Sequence, residues 1–235
     1  MKLQKLKKDK ILVVAAHPDD EVLGCGATLL KYQKTGAVIE ALFVADGVSS
    51  RETKINKKHF LNELKNRRAD CLRSNKKIGI KKSIFLDFKD NQLDSYPILK
   101  IIKKIENKIK LFKPTIIFTH FYNDLNVDHQ IVNKATVTAC RPQGAKTFPK
   151  KLFFFEIPSS TEWQIKKNKE LFNPNWFEDV TKTINYKIRA LKEYKKEIRN
   201  WPHPRSERGV KALAEWRGAT SGYEAAEAFI LARKV

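Results

Sequence analysis

The stretch ILVVAAHPDDE, residues 11–21, decides how the rest of the chain is read. An unbroken apolar run over 11–15 fits a strand buried on both faces, as in a parallel sheet. Directly after it come His17, Asp19, Asp20 and Glu21. Open parallel sheets bind ligands at the carboxyl ends of their strands, so this cluster stands where a site belongs. A histidine and two aspartates within four residues are unfavourable to bury without partners. A divalent cation would satisfy them. An aspartate helix cap beside an exposed histidine is the other reading that these residues leave open.

Outward from this stretch, residues 22–35 read as a helix ended by Gly36. Residues 38–45 are a second buried strand. Residues 54–77 have helical periodicity through Phe60, Leu61, Leu64, Cys71 and Leu72. A short strand follows at 83–86, then a helix at 96–112 with Ser95 as N-cap and Pro97 in its first turn. Residues 115–119 are a further strand and 128–139 a further helix. This alternation predicts an α/β fold: a Rossmann-like, mostly parallel sheet with helices on both faces. After Pro142 the pattern changes. A strand at 151–156 leads to a polar loop at 158–161 and a turn at Asn173-Pro174-Asn175. An amphipathic helix at 184–200 is broken by Trp201-Pro202-His203-Pro204. Helix resumes at 206–217, and 225–232 closes the chain. We read one domain, 1–235, with a core over 1–142 and a C-terminal α/β cap over 143–235.

The composition suits this. The 235 residues are 42% hydrophobic with 14 Phe, enough for one sizeable core. No stretch approaches the roughly 20 apolar residues of a membrane span. The basic residues 1–10 precede an apolar run too short for a signal sequence, so a cytoplasmic protein is expected. Cys25, Cys71 and Cys140 lack metal-type spacing and read as reduced core thiols. The net charge of +21, from 47 Lys+Arg against 26 Asp+Glu, invites a nucleic-acid reading. No RNA- or DNA-binding motif accompanies it, and the lysines are spread over many helices, so no nucleic-acid partner is expected. An anionic substrate or plain compositional bias accounts for the charge equally well. The basic N-terminal segment is either a solvated tail or a contact with anionic lipid.

A second cluster follows the strand at 115–119: His120, then Asp124, Asn126, Asp128 and His129. It too lies beyond the carboxyl end of a strand, so both clusters belong on one edge. His17 and His129 with one carboxylate make the donor set of a catalytic zinc with an open position. The same donors accept iron(II) or manganese(II). One acid is left over to act as a general base. A merely solvated histidine at a helix N-terminus is the alternative for His129. Gly24-Cys25-Gly26 lies inside the first helix, too late to cradle a pyrophosphate, which argues against a nucleotide-binding transferase.

Ala16 to Glu21 with Gly24 and Gly26, followed by Asp128-His129, resemble the two motifs of the PIG-L/LmbE-like deacetylase family. The likeness spans nearly the whole chain. It extends to the loops around Asp46–Arg51 and Asp90–Leu93. Segments 156–163, 172–175 and 203–206 resemble members linked to bacterial surface polysaccharide synthesis. The resemblance implies a Rossmann-like fold, a zinc or other divalent metal, and hydrolysis of an N-acetyl group. The substrate it implies is an N-acetylated amino sugar, nucleotide- or lipid-linked; a thiol conjugate or other non-sugar amide is the rival. Position by position, His17, Asp20 and His129 match the metal ligands and Asp19 the general base. Asp128 would orient an imidazole. Asn126 stands where several members carry a histidine that stabilises the oxyanion. An amide N–H still donates there but is no acid. The proton for the leaving amine then comes back from Asp19, or from His203 or His120. Arg51, Glu156, His203 and Arg205 are the expected substrate-binding residues. Trp163 is expected to pack in the core, and Asp46 to support the site. Family members often form homo-oligomers.

Overall fold

The computed structural model describes residues 8–50, 56–142, 148–165 and 171–235. Among them, seven strands form one sheet: β1 (Lys10–Ala15), β2 (Val38–Ala45), β3 (Lys82–Phe88), β4 (Ile116–His120), β5 (Lys151–Phe155), β6 (Trp176–Asp179) and β7 (Ala226–Lys234). Their order is β3-β2-β1-β4-β5-β7-β6. The first five are mutually parallel, and β7 runs antiparallel between β5 and β6. The helices are α1 (Asp20–Lys34), α2 (Lys57–Lys77), α3 (Ile98–Phe112), α4 (Val127–Ala139), α5 (Ile184–Leu191) and α6 (Glu207–Ala219).

The apolar run of β1 is continuous because both faces are covered. Ile11, Val13 and Ala15 pack with Val22, Cys25 and Leu29 of α1 and with Cys71 of α2. Leu12 and Val14 pack with Ile101, Ile105 and Ile109 of α3 and with Val132 of α4. From β1 the order runs to β2 and β3 on one side and to β4 and β5 on the other. The crevice beyond the carboxyl ends of β1 and β4 is therefore the switch point at which such sheets bind ligands. Both polar clusters open into it.

Several boundaries differ from the sequence reading. Ser95 does not cap α3: it closes a 3-10 turn, Leu93–Ser95, its hydroxyl donating to the Gln92 carbonyl, and Pro97 holds the N-cap position. α2 starts at Lys57, behind an Asn56 side chain that accepts from the Lys58 N–H. The expected start at Lys54 falls outside the described residues. Leu61 and Leu72 are half-exposed, and the inward stripe of α2 runs instead through Arg67, Cys71, Ser74 and Asn75. The helix expected over 184–200 ends at Leu191. Beyond it the chain unwinds, which lets Tyr194 reach Glu21 and Glu197 reach Arg67. Residues 173–175, expected as a turn, form none and lead directly into β6, and the closing segment is the strand β7. No described helix is long and apolar enough to cross a membrane.

Candidate active site

The turn from β1 into α1 fixes the first group of side chains. Asp19 holds the N-cap position with a φ of 126°, yet its side chain makes no capping bond. Its carboxylate points elsewhere: Oδ2 lies 3.3 Å from Arg67 Nη2 and 3.1 Å from Arg205 Nη1. Burial pushes the Asp19 carboxyl above its ordinary value, while Arg67 and Arg205 pull it back. Asp20, also buried, accepts the His17 backbone N–H on Oδ2 at 2.7 Å. Its Oδ1 has no hydrogen-bond partner and lies 3.5 Å from His129 Nε2. Facing Oδ2, His17 Nδ1 is 3.4 Å away. One ligand atom each from His17, Asp20 and His129 thus lies within 4.8 Å of the others. The Asp20 carboxylate, with one oxygen orphaned, lies between two buried imidazoles, which fits a divalent cation. The surroundings that favour a cation also favour protons, and the two compete. Burial works against a charged His17, but hydrogen bonds to Asp128, Asp20 and Asp90 outweigh it and raise its pKa well above the usual value.

The second group is set by the loop from β4 into α4. Asn126 caps α4, its Oδ1 accepting the Asp128 N–H at 2.8 Å while Nδ2 donates to Asn91 at 3.1 Å. Asp128 lies 3.0 Å from His17 Nε2 and accepts the Asn91 and Leu93 N–H groups. Asp90 Oδ1 reaches the same imidazole nitrogen at 2.9 Å. His17, Asp90 and Asp128 also fall within 4.8 Å of one another. With the Asp128 oxygens committed to backbone amides, this trio holds the imidazole in place. His129 is held in the same manner: Nδ1 is 3.0 Å from Asp124, which also accepts the Ser160 and Thr161 hydroxyls. Although burial opposes both charges, Asp124 is held down at about 2, chiefly by His129, and His129 is raised to about 9, chiefly by Asp20 and Asp124.

His120 does not open onto the site. Its Nε2 accepts the Ala16 N–H at 2.8 Å and its ring stacks on His129 at 3.9 Å. Burial, with His129 beside it, lowers its pKa well below the usual value. Nor does His203 line the site: Nδ1 accepts the Arg205 N–H and the ring packs edge-on against Trp163. Trp163 itself is half-exposed rather than in the core.

A cavity of about 320 Å³ opens over the cluster, lined by His17, Asp19, Asn126, His129 and Arg205 among others. Arg205 enters from the turn before α6, held by the Pro158 carbonyl and the Ser159 hydroxyl. Glu156 is elsewhere: both its oxygens pair with Arg217 at 2.8 Å, and it lines a separate small cavity. Arg51 lies outside the described residues. Asp46 organises its own loop, accepting the Val48 and Ser49 N–H groups.

The sequence reading missed Arg67. It is buried beside Asp19, pairs with Glu197 at 2.5 Å and lies over the Tyr194 ring. Its signal was present, since Arg67 falls in phase with Leu64 and Cys71 on the inward stripe of α2. Glu21 was noted only as part of the motif. It is buried beneath the site, accepts the Asp19 N–H and the Tyr194 hydroxyl, and is pushed by burial to about 8.

Comparison with known proteins agrees with this architecture. An uncharacterised deacetylase, YaiS, of Escherichia coli (strain K12) is 29% identical over 195 residues, 80% of this chain and 92% of that one. The diacetylchitobiose deacetylase of Thermococcus kodakarensis is 25% identical over 231 residues, 93% of this chain and 81% of that one. Among solved structures, GalB, the 4-carboxy-2-hydroxymuconate hydratase of Pseudomonas putida KT2440, superimposes with a TM-score of 0.76 at 16% identity, covering 97% of each chain. A hydratase on this fold means that the reaction must be argued from the site and not from the fold. The model of the PIG-L family, described as GlcNAc-PI de-N-acetylase, matches residues 12–140, more than half of the chain. The chain belongs to the PIG-L family, and it is a hydrolase acting on amides.

Proposed function

We propose that this protein removes the acetyl group from an N-acetylated amino sugar, with His17, Asp20 and His129 holding a zinc ion and Asp19 as the general base. The observation that carries the reading is the Asp20 carboxylate between two imidazoles, one of its oxygens unpartnered, with a second buried carboxylate on the adjacent residue. Zinc bound there supplies Lewis acidity towards water and the amide carbonyl; iron(II) or manganese(II) suits the same donors. Asp19 takes the proton of the attacking water and returns it to the departing amine. Burial favours the protonated carboxyl, and the two guanidiniums favour the carboxylate. Asn126 lines the cavity, and its Nδ2 has a second N–H beyond the one given to Asn91, available to a developing oxyanion. Asp128 and Asp124 hold the two imidazoles. Arg199 and Arg205 also line the cavity and suit a phosphate, which supports a nucleotide- or lipid-linked sugar of the kind used in surface glycan synthesis.

The test pairs two variants. Asp19→Asn should keep its metal by elemental analysis and lose acetate release, whereas Asp20→Asn should lose the metal. Near-normal turnover in Asp19→Asn refutes the assignment of the base. Assays on free, nucleotide-linked and lipid-linked N-acetyl sugars, beside a thiol-conjugate amide, fix the substrate class.

A further inference from the structure

Apart from the arginines at the site, the positive charge plays no part in the chemistry above; much of it is spread over the helices, but one edge of the sheet is distinctly basic. Asp19, Asp20, Asp90, Asp124 and Asp128 gather at the carboxyl edge of the sheet. The opposite edge, where the parallel strands begin, carries lysines. β1 opens with Lys10, β3 with Lys82 and β5 with Lys151, while the antiparallel β7 ends on Lys234, in register with Lys151. A cavity of about 380 Å³ opens on this edge. Lys8, Lys10, Lys113, Lys150 and Lys151 line it together with apolar Pro114, Ile116 and Phe148. The one acid in its lining, Asp9, accepts the Thr115 hydroxyl. Among the described residues, none of these lysines forms an ion pair. Lys10 donates to the Phe112 carbonyl at the end of α3 and Lys113 is its C-cap, so the helix dipole accounts for these two. It does not account for Lys150, Lys151 or Lys234.

We infer that this amino edge docks the protein on an anionic lipid bilayer. Cations around an apolar cavity match an anionic amphiphile. Two exposed aliphatic residues, Leu111 and Val235, stand at the same edge beside Lys113 and Lys234, suited to entering the headgroup region. A single-stranded nucleic acid would call for open aromatic faces on which bases stack. Here Lys10 and Lys108 lie over the Phe112 ring, and Lys151 over Trp176. Docked this way, the acid-lined edge faces away from the negative surface, and substrate reaches the site from water. Within the proposed function, that favours a nucleotide-linked sugar over a lipid-linked one.

The test is flotation of the full chain with phosphatidylcholine vesicles, with and without phosphatidylglycerol. The wild type is compared with Lys8→Gln/Lys150→Gln/Lys234→Gln and with a control, Lys57→Gln/Lys58→Gln/Lys195→Gln, that removes equal charge from exposed lysines elsewhere. Wild type should float only with phosphatidylglycerol and be released by salt. Each edge lysine near the surface contributes about fivefold, so the first variant should bind about a hundredfold more weakly and the control nearly as wild type. Acetate release is measured in parallel and should be unchanged in both variants, which separates this inference from the assignment of the active site. Failure of the wild type to float at low salt overturns it. So does equal loss in the two variants, or tighter binding to RNA or DNA than to vesicles at the same ionic strength.

Discussion

The buried pair Lys187–Glu227 gives the sharpest energetic prediction. Lys187 on α5 and Glu227 on β7 are both buried, with Nζ 2.6 Å from Oε1. The pair is wedged against the middle of α1: Glu227 accepts the Ala27 and Thr28 N–H groups at 3.2 and 2.7 Å, and Lys187 donates to the Leu23 carbonyl at 2.7 Å. Lys187→Met keeps most of the side-chain volume but leaves the Glu227 charge without its counter-ion. It also removes a donor from the Leu23 carbonyl. Breaking such a pair from one side destabilises by about 3–5 kcal/mol. Against the roughly 5–15 kcal/mol by which domains are usually stable, the loss is severe. The double variant Lys187→Met/Glu227→Gln removes both charges together and should be more stable than Lys187→Met alone. Urea unfolding of the wild type, both single variants and the double gives the coupling directly. A single-variant loss below about 1 kcal/mol, the range of an exposed pair, refutes the reasoning, as does strict additivity in the double. Because Leu23 lies one turn beyond Asp20, the surviving folded fraction should also hold metal less tightly.

Other expectations follow from the same geometry. Gly24→Ala would place a Cβ 2.4 Å from the ring of the buried Phe155, so it should destabilise by about 1–3 kcal/mol in thermal or urea unfolding; a wild-type value would show that α1 approaches the sheet less closely. Asp124→Asn should weaken metal affinity about 10- to 100-fold in a chelator competition, since Asp124 holds His129, and unchanged affinity would remove it from that role. Although burial works against its charge, Glu178 is held below its ordinary value by Lys31, Trp176 and Tyr32. Its contribution is therefore present above about pH 4.5, the ordinary glutamate value, and is lost as pH falls through the lower folded value. Glu178→Gln should flatten the acid limb of the stability profile, and an unaltered limb would refute this.

The parts of the fold legible in the sequence are those decided locally. β2 matches its expected span residue for residue because a largely apolar stretch, interrupted only by Glu40, carries the signal. The two ends of the site were legible for the same reason: each cluster directly follows a strand, and parallel strands place their carboxyl ends on one edge. Features decided by distant partners were not. β7 inserts between β5 and β6, a pairing that no local pattern encodes. The helical period continues to residue 200, but the chain leaves the helix after Leu191 to bury Tyr194 and Glu197 against α1 and α2. Glu156 ends its strand as a site residue would, yet Arg217, remote in sequence, claims both its oxygens. Arg67 carried a readable signal, an arginine in phase with an apolar stripe, whose meaning depended on knowing what lay opposite.

The backbone at Asp19 joins stability to chemistry. Its φ of 126° lies where an L side chain is strained and glycine is not. The two adjacent carboxylates need to face different ways, Asp19 towards Arg67 and Arg205 and Asp20 towards the imidazoles, and the strained turn is what separates them. Such strain amounts to about 1–3 kcal/mol. Asp19→Ala and Asp19→Gly both remove the carboxylate and leave the same guanidiniums without it, so their difference isolates the backbone. Asp19→Gly should be the more stable of the two by about 1 kcal/mol or more, against the usual ordering in which glycine loses to alanine through unfolded-state entropy. Both should lack acetate release. If Asp19→Ala proves equal or superior in urea unfolding, the turn is unstrained in solution, and the separation of the two acids comes from their partners alone.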